Sequence, residues 1–107
     1  YYNFDRAKTH YPHDLWPDIP KLVGGFLAQK ELLTTPDGKF AHVAQMPLAI
    51  AHRAIICSTK VGDIVLDPFM GSGTTLVAAH QLQRRSIGIE LSQTYYDLAV
   101  QRLNTLF

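Results

Sequence analysis

A glycine-rich segment between a short apolar run and a helical pattern constrains this chain more than any other feature. The run 64–66 holds aliphatic and β-branched residues, which predicts a buried strand, and 74–83 has a helical pattern with small residues. Between them lie Gly71 and Gly73, which permit a sharp turn and a close approach of the backbone to a ligand. This order predicts a ligand-binding loop that follows a strand of a parallel sheet.

The elements on either side of this loop extend the same α/β pattern. Pro47 suits the first turn of a helix over 48–58, a second strand is predicted over 86–90, and Ser92 suits the N-cap of a final helix. Strands alternating with helices predict a parallel sheet with right-handed crossovers. Because two strands do not make a stable sheet with buried faces, the remaining strands must come from elsewhere or from the first 41 residues.

The chain divides near residue 42. Residues 1–41 are rich in proline and glycine and show little periodicity, which predicts a loop-rich linking segment with short extended pieces. Residues 42–107 carry the strands and helices and form the predicted ligand-binding half-domain. The chain begins with Tyr1 instead of methionine, so we expect that it was cut from something longer.

Composition excludes several protein classes. The chain has 107 residues, of which 47% are hydrophobic and 18% charged, as expected for one small soluble domain. No apolar run approaches the ~18 residues of a membrane helix. The formal net charge is +1 and the basic residues are scattered, so composition alone does not indicate DNA binding. The single cysteine, Cys57, excludes an internal disulfide and favours a reducing compartment.

The residues around the loop narrow the choice of ligand. A phosphate loop needs a lysine after its second glycine, and the dinucleotide fingerprint needs a glycine where this chain has Leu76. Asp67 would repel a pyrophosphate and favour a cationic group such as an amino-acid ammonium. Glu90 ends the second strand, where nucleotide-binding folds hold an acid that binds ribose hydroxyls. Each residue alone also fits a plain turn or a solvated surface, but together they describe a site for S-adenosylmethionine.

Three segments resemble the amino-methyltransferases of DNA, which methylate adenine at N6 or cytosine at N4. Segment 65–75 (VLDPFMGSGTT), followed by 85–90 (RSIGIE) and by Tyr96, Ala99 and Arg102, carries the most specific match. Segment 42–47 (HVAQMP) is similar to that family's cofactor segment, usually His-Pro-x-Gln-Lys-Pro, and 14–20 (DLWPDIP) to its Asp-x-Trp-x-x-x-Pro stretch. The resemblance covers nearly the whole chain. It is strongest to the circularly permuted group, in which the cofactor half follows the catalytic half.

The resemblance implies an α/β fold, namely the C-terminal part of a partial Rossmann-like S-adenosylmethionine-dependent methyltransferase fold. It implies that Glu90 holds the ribose. The loop residues would line the methionine end of the cofactor: Asp67, Pro68, Phe69, Gly71, Ser72, Gly73 and Thr74. Three residues would border its carboxylate side: Ala44, Gln45 and Pro47. Two positions depart from the pattern, because Val43 stands in place of proline and Met46 in place of lysine, a natural partner for a carboxylate.

The residues that would carry out catalysis are missing from the chain. The family holds the flipped target base with Asp, Asn or Ser followed by Pro-Pro and an aromatic residue, and this sequence has no Pro-Pro. Asp67-Pro68-Phe69 is similar by letters, but its place before the glycines assigns it to the cofactor. We therefore predict no catalytic residue in this chain and no activity of the chain alone. Only the complete enzyme would bind DNA, and it would include a missing N-terminal catalytic half or a partner subunit.

Several readings of such a chain stay open. It could be a fragment, one subunit of a split enzyme or a gene remnant, and the competing class is a non-catalytic cofactor-binding or structural module. Methylation of RNA or of a small molecule is a third reading, which the segments around Trp16 and His42 disfavour. The resemblance implies a prokaryotic or phage enzyme of the cytoplasm, of the restriction-modification type.

The histidines, the cysteine, the tryptophan and two adjacent arginines are predicted to have structural or surface roles. The five histidines are unclustered and have no metal-ligand spacing, so we predict no metal site. Cys57 is expected to be a small core residue, and Trp16 to pack its loop against the sheet. Arg84 and Arg85 end a predicted helix, where cations suit the helix dipole.

Overall fold

The computed structural model describes Leu33 and residues 45–106, which form three helices and two strands. Their order is α1 (Leu48–Ser58), β1 (Ile64–Asp67), α2 (Thr74–Gln81), β2 (Arg85–Gly88) and α3 (Gln93–Asn104). Apart from Leu33, the segment 1–41 that was predicted to be loop-rich lies outside the described residues. None of the three helices is long and apolar enough to cross a membrane.

The two strands form the predicted parallel pair, with α2 as the connection between them. Ile64 lies opposite Arg85, and Asp67 lies opposite Gly88. Both strands therefore end at the same edge of the sheet, and the segments that follow them begin side by side. The sequence prediction of a strand, loop, helix and strand is confirmed in this part of the chain.

Small residues let the helices pack closely on the sheet. Ala51 and Ile55 of α1 form a buried cluster with Ala78 and Ala79 of α2, and Val65 of β1 packs against this cluster. A second cluster joins α2, α3 and the loop: Met70, Leu76, Ala99 and Leu103. Cys57 is buried in α1, as predicted for a core residue.

A buried arginine fixes the ends of α1 and α2. The Arg84 guanidinium donates to the carbonyl oxygens of Leu82 (2.6 Å) and Thr59 (3.0 Å) and to the Thr59 hydroxyl (3.0 Å). Thr59 is the C-cap of α1 and Leu82 that of α2, so one cation binds carbonyls at both helix ends. The helix α2 ends at Gln81, two residues before the predicted end at residue 83. Gln83 then has φ of 60° and turns the chain toward β2.

The prediction of a buried strand over 64–66 is wrong for one face of the sheet. Ile64 is 51% exposed and Leu66 61% exposed, and Ile87 on the neighbouring strand is 53% exposed. The reason lies in the alternation of side chains, because the described helices pack on the face that carries Val65 and Gly88. Within residues 45–106, nothing comparable covers the opposite face.

An apolar groove runs along the outer edge of β1. The carbonyl oxygens of Asp63 and Asp67 accept hydrogen bonds from the Arg85 and Ile89 backbone N–H groups, each at 2.9 Å. Since backbone groups alternate in direction along a strand, those of Ile64 and Leu66 point to the other edge. A cavity of about 440 Å³ lies there, with walls from α1 and β1 that include Ile50, Ala54, Ile64 and Leu66.

Candidate cofactor site

The loop after β1 is bound to the residues that follow β2. The Ile89 N–H donates to the Asp67 carbonyl oxygen (2.9 Å), and the Met70 N–H donates back to the Ile89 carbonyl oxygen (3.0 Å). The Asp67 carboxylate accepts from the Phe69 N–H at 3.0 Å, which starts the turn away from the strand. The two predicted acid positions, Asp67 and Glu90, are thereby placed at the ends of adjacent strands.

Two glycines shape the turn into α2. The Gly73 N–H donates to the Met70 carbonyl oxygen at 2.8 Å and closes a four-residue turn, in which Gly71 has φ of 53°. Gly73 has φ of 80° at the N-cap of α2, a backbone conformation that residues with a side chain rarely adopt. A Cβ at Gly73 would lie 3.1 Å from the Cβ of Ala99, so the position also lacks room.

Glu90 accepts hydrogen bonds through both of its carboxylate oxygens, one from the loop and one from the start of α3. Oε2 accepts from the Gly71 N–H at 2.9 Å, and Oε1 accepts from the Ser92 N–H at 2.8 Å. Ser92 in turn caps α3, because its hydroxyl accepts from the Tyr95 N–H at 3.5 Å, as the sequence predicted. The acid predicted for the ribose therefore also links the glycine-rich loop to the start of α3.

Arg102 reaches the loop from α3. Its Nη1 donates to the Thr74 hydroxyl oxygen at 2.9 Å and to the Ser72 carbonyl oxygen at 3.2 Å. Ser72 is 4% exposed and Thr74 is 3% exposed, so both acceptor residues are buried, whereas Arg102 itself is half-buried. The arginine thus fixes the chain at the point where the loop becomes α2.

A cavity of about 330 Å³ opens at this loop, within the size range of small-ligand sites. Nine described residues line it: Gln45, Met46, Asp67, Phe69, Met70, Gly71, Ser72, Thr74 and Thr75. It is smaller than the groove beside β1, but it combines a carboxylate, hydroxyls and the N-terminus of α2 with apolar walls. These are the features of a site for a polar ligand, whereas the lining of the groove contains no charged side chain.

The structure brings most of the predicted site residues together at this cavity. Gln45 and five loop residues line it: Asp67, Phe69, Gly71, Ser72 and Thr74. Four predicted residues do not line it: Pro47, Pro68, Gly73 and Glu90. Pro47 is the N-cap of α1, and Gly73 and Glu90 shape the loop from outside the cavity. Ala44 lies outside the described residues.

Sequence reasoning missed three lining residues: Met46, Met70 and Thr75. Met46 departs from the cofactor segment of the family, which has lysine there, and Met70 and Thr75 lie within the glycine-rich motif 65–75. The local sequence does not indicate that an apolar residue such as Met70 lines a binding cavity. The burial of Met70 against Leu76 depends on tertiary contacts that local sequence does not reveal.

Gln45 connects the cavity to the preceding part of the chain. Its side-chain oxygen accepts a hydrogen bond of 2.9 Å from the Leu33 N–H. The amide lies at the cavity wall, where the resemblance placed a carboxylate contact. Among residue 33 and residues 45–106, no group of three His, Cys, Asp or Glu side chains is placed to hold a metal ion.

Comparison with protein families assigns the chain. Residues 3–101 match the family of N6/N4 methyltransferases described as DNA methylase. This chain belongs to that family. The match contains the loop, both strands and most of α3, and the partial methyltransferase fold inferred from the sequence is confirmed.

Relatives and a solved structure agree with this assignment. The chain is 44% identical over 77 residues to the type II methyltransferase M.HinfI of Haemophilus influenzae, and 44% identical over 82 residues to M.Cfr9I of Citrobacter freundii. These matches take in 72% and 75% of this chain but only 21% and 27% of the relatives. The structure of M1.HpyAVI, solved as a complex with SAM, matches with 47% identity and a TM-score of 0.59 over 67% of this chain and 36% of that one. The chain therefore spans about a quarter of the curated relatives.

Proposed function

We propose that this chain is the S-adenosylmethionine-binding part of a DNA methyltransferase that acts on the exocyclic amine of adenine (N6) or cytosine (N4). The observation that carries the proposal is the 330 Å³ cavity at the glycine-rich loop, lined by the residues that the family motif contributes. A family relative with this fold, M1.HpyAVI, was solved as a SAM complex. The residues present fit such a ligand, because they offer groups for each of its polar ends.

Each end of the cofactor has a matching group in the chain. The Asp67 carboxylate lines the cavity and suits the ammonium of the methionine end. The N-terminus of α2 begins at Thr74 and suits the carboxylate, because its first N–H groups have no partner within the helix. Glu90 does not line the cavity but contacts Gly71 at its wall, and its carboxylate suits the ribose hydroxyls. Its two backbone hydrogen bonds use only part of the capacity of a carboxylate, which can accept about four.

The role of the chain in the reaction is to bind and orient. When bound, S-adenosylmethionine supplies an electrophilic methyl group on a sulfonium. Transfer to an amine then requires a flipped base whose nitrogen faces that methyl carbon. The chain lacks the Pro-Pro-aromatic motif that would hold the base. We therefore propose that the chain alone does not methylate DNA and that a catalytic half, in the same longer protein or in a second subunit, completes the enzyme.

The face of the sheet that none of the residues 45–106 covers supports a missing half. Ile64, Leu66 and Ile87 leave an apolar face exposed, and the outer edge of β1 borders an apolar groove. A parallel sheet normally has both faces covered. The relatives are about four times as long as the matched stretch, which leaves ample chain to complete the sheet.

Calorimetric titration of the purified chain with S-adenosylmethionine tests the proposal. Binding is expected, and Asp67→Ala and Glu90→Ala should each weaken it. Asp63→Ala is the matched control, since Asp63 lies at the opposite end of β1 and its carboxylate accepts only from the exposed Lys60 N–H at 2.8 Å. A folded chain that binds no cofactor would refute the proposal. Methyl incorporation into duplex DNA by the chain alone would refute the claim that it is inactive.

A second function, that of a non-catalytic structural subunit or remnant, is favoured by one residue. Met46 lines the cavity at the position where the resemblance expects a lysine for the carboxylate. If Met46→Lys creates binding in a folded chain that otherwise has none, the site has lost its ligand through this substitution. If the wild-type chain already binds, the structural reading fails.

A further inference from the structure

Arg102, a half-buried residue of α3, has no role in the function proposed above. Its Nη1 lies 2.9 Å from the Thr74 hydroxyl oxygen and 3.2 Å from the Ser72 carbonyl oxygen. Both partners line the cavity, whereas Arg102 does not. It therefore acts on the cavity through another residue.

The contact with Thr74 determines what the hydroxyl group can do. A hydroxyl has one hydrogen to donate and two lone pairs that accept. Because Arg102 carries only donors, the Thr74 oxygen must accept in this contact, and its hydrogen is left to donate elsewhere. No acceptor among the described residues receives it, although Thr74 is only 3% exposed. A buried donor of this kind is costly unless a ligand satisfies it.

The contact with Ser72 fixes the backbone at the same point. The peptide between Ser72 and Gly73 is held at both ends, since its oxygen accepts from Arg102 and its N–H donates to the Met70 carbonyl oxygen at 2.8 Å. Ala99, one turn before Arg102 on α3, lies against Gly73 with no exposed surface. The loop is thereby held in one shape by a single face of α3.

We propose that Arg102 is a positioning residue that orients the Thr74 hydroxyl as a hydrogen-bond donor to the carboxylate of the bound cofactor. A donor at this place suits an anion, and it stands beside the N-terminus of α2, which favours the same charge. With methionine at position 46, the described cavity wall carries no lysine or arginine of its own. This inference rests on the proposed function, because it names the group that one end of that ligand meets.

The test compares two ligands that differ only in the carboxylate. S-adenosylmethionine and its decarboxylated form are titrated into the wild-type chain and into Thr74→Val, Thr74→Ser, Arg102→Gln and Arg102→Lys. The wild type should prefer the carboxylated ligand. Thr74→Val should reduce this preference by about tenfold, the usual effect of losing one hydrogen bond to a charged group, and Thr74→Ser should retain it. Arg102→Gln should reduce the preference in the same direction, and Arg102→Lys should restore part of it.

Using the ratio of two affinities separates positioning from general loss of structure. A variant that merely loosens the domain weakens both ligands alike and leaves the ratio unchanged. The double variant Arg102→Gln with Thr74→Val should show no further reduction beyond Thr74→Val alone, because both changes remove the same interaction. Arg85→Gln is the matched control, since its guanidinium contacts Gly62 at the opposite end of the sheet.

The outcomes distinguish the two proposals. A wild-type chain that binds neither ligand overturns the proposed function and this inference with it. Binding by the wild type, with the preference for the carboxylated ligand intact in Arg102→Gln and Thr74→Val, overturns the positioning role alone.

Discussion

The Glu90 carboxylate accepts a hydrogen bond of 2.9 Å from the backbone N–H of Gly71, nineteen positions earlier in the chain. Its other oxygen accepts from the Ser92 N–H at 2.8 Å. The acid that the family motif associates with a ligand therefore also holds the loop in place. Loss of this side chain should affect both stability and binding, and the two effects can be measured separately.

Glu90→Gln should lower the free energy of unfolding by about 1–2 kcal/mol, because an amide offers one acceptor oxygen where the carboxylate offered two. Urea denaturation measures the change. Asp97→Asn is the control, because the exposed Asp97 side chain accepts only from Gln93 on the same helix and its replacement should leave stability unchanged. Equal losses in the two variants would contradict a structural role of Glu90.

Gly73→Ala should destabilise the fold more than Gly62→Ala. Both glycines have a left-handed backbone, with φ of 80° and 88°, so each substitution carries a strain of about 1–2 kcal/mol. Only Gly73 has a neighbour within reach of a new Cβ, the Ala99 Cβ at 3.1 Å, whereas Gly62 meets nothing within 4 Å. The added crowding should cost about 1 kcal/mol more. Thermal unfolding of the two variants compares them directly, and identical stabilities would refute the close contact between the loop and α3.

Arg84→Met should destabilise the chain by about 2–4 kcal/mol, although the adjacent Arg85→Met should have little effect. Arg84 is 8% exposed and donates to acceptors at the ends of two helices, which its loss would leave without that partner. Arg85 is exposed and donates to the Gly62 carbonyl oxygen at 3.2 Å. Chemical denaturation of both variants measures the difference. Similar losses of stability in the two variants would show that the hydrogen bonds of Arg84 contribute no more than that of the exposed Arg85.

Leu66→Lys should reduce self-association of the isolated chain. Leu66 is exposed and lies on the edge of β1 that pairs with no described strand, and apolar strand edges pair with other chains. Val61→Lys is the control. Val61 is 65% exposed against 61% for Leu66, but it lies in the turn before the strand. Sedimentation velocity over a range of concentrations measures the effect. If both variants behave alike, exposure of apolar surface alone accounts for the association.

Most of the fold could be predicted because the signals are local. The turn at the glycines, the small residues of α2 and the Ser92 cap each depend on a few neighbouring residues, and the structure has them where expected. The end of α2 was placed two residues too late, since nothing in the sequence marks Gln83 as a residue with positive φ. The second strand ends at Gly88, two residues earlier than predicted, because Ile89 and Glu90 already belong to the connection with the loop.

What could not be predicted depends on contacts between distant residues. The exposure of Ile64 and Leu66 follows from which face the helices cover, and a run of apolar residues does not specify that. The motif included Arg102 as part of a pattern but gave no partner for it, because Ser72 and Thr74 meet it only after α3 has packed. The site residues were named from the motif, and their roles toward a ligand stay predictions until binding is measured.

The edge of β1 that pairs with no described strand also has a consequence for the stability of the protein in a cell. Where the catalytic half is a second subunit, a copy of this chain that is made without it presents Ile64 and Leu66 to chaperones and proteases, which act on exposed apolar segments. Its abundance would then follow the supply of the other half. The same edge that completes the sheet would in this way keep the two parts in balance, without any separate control of their synthesis.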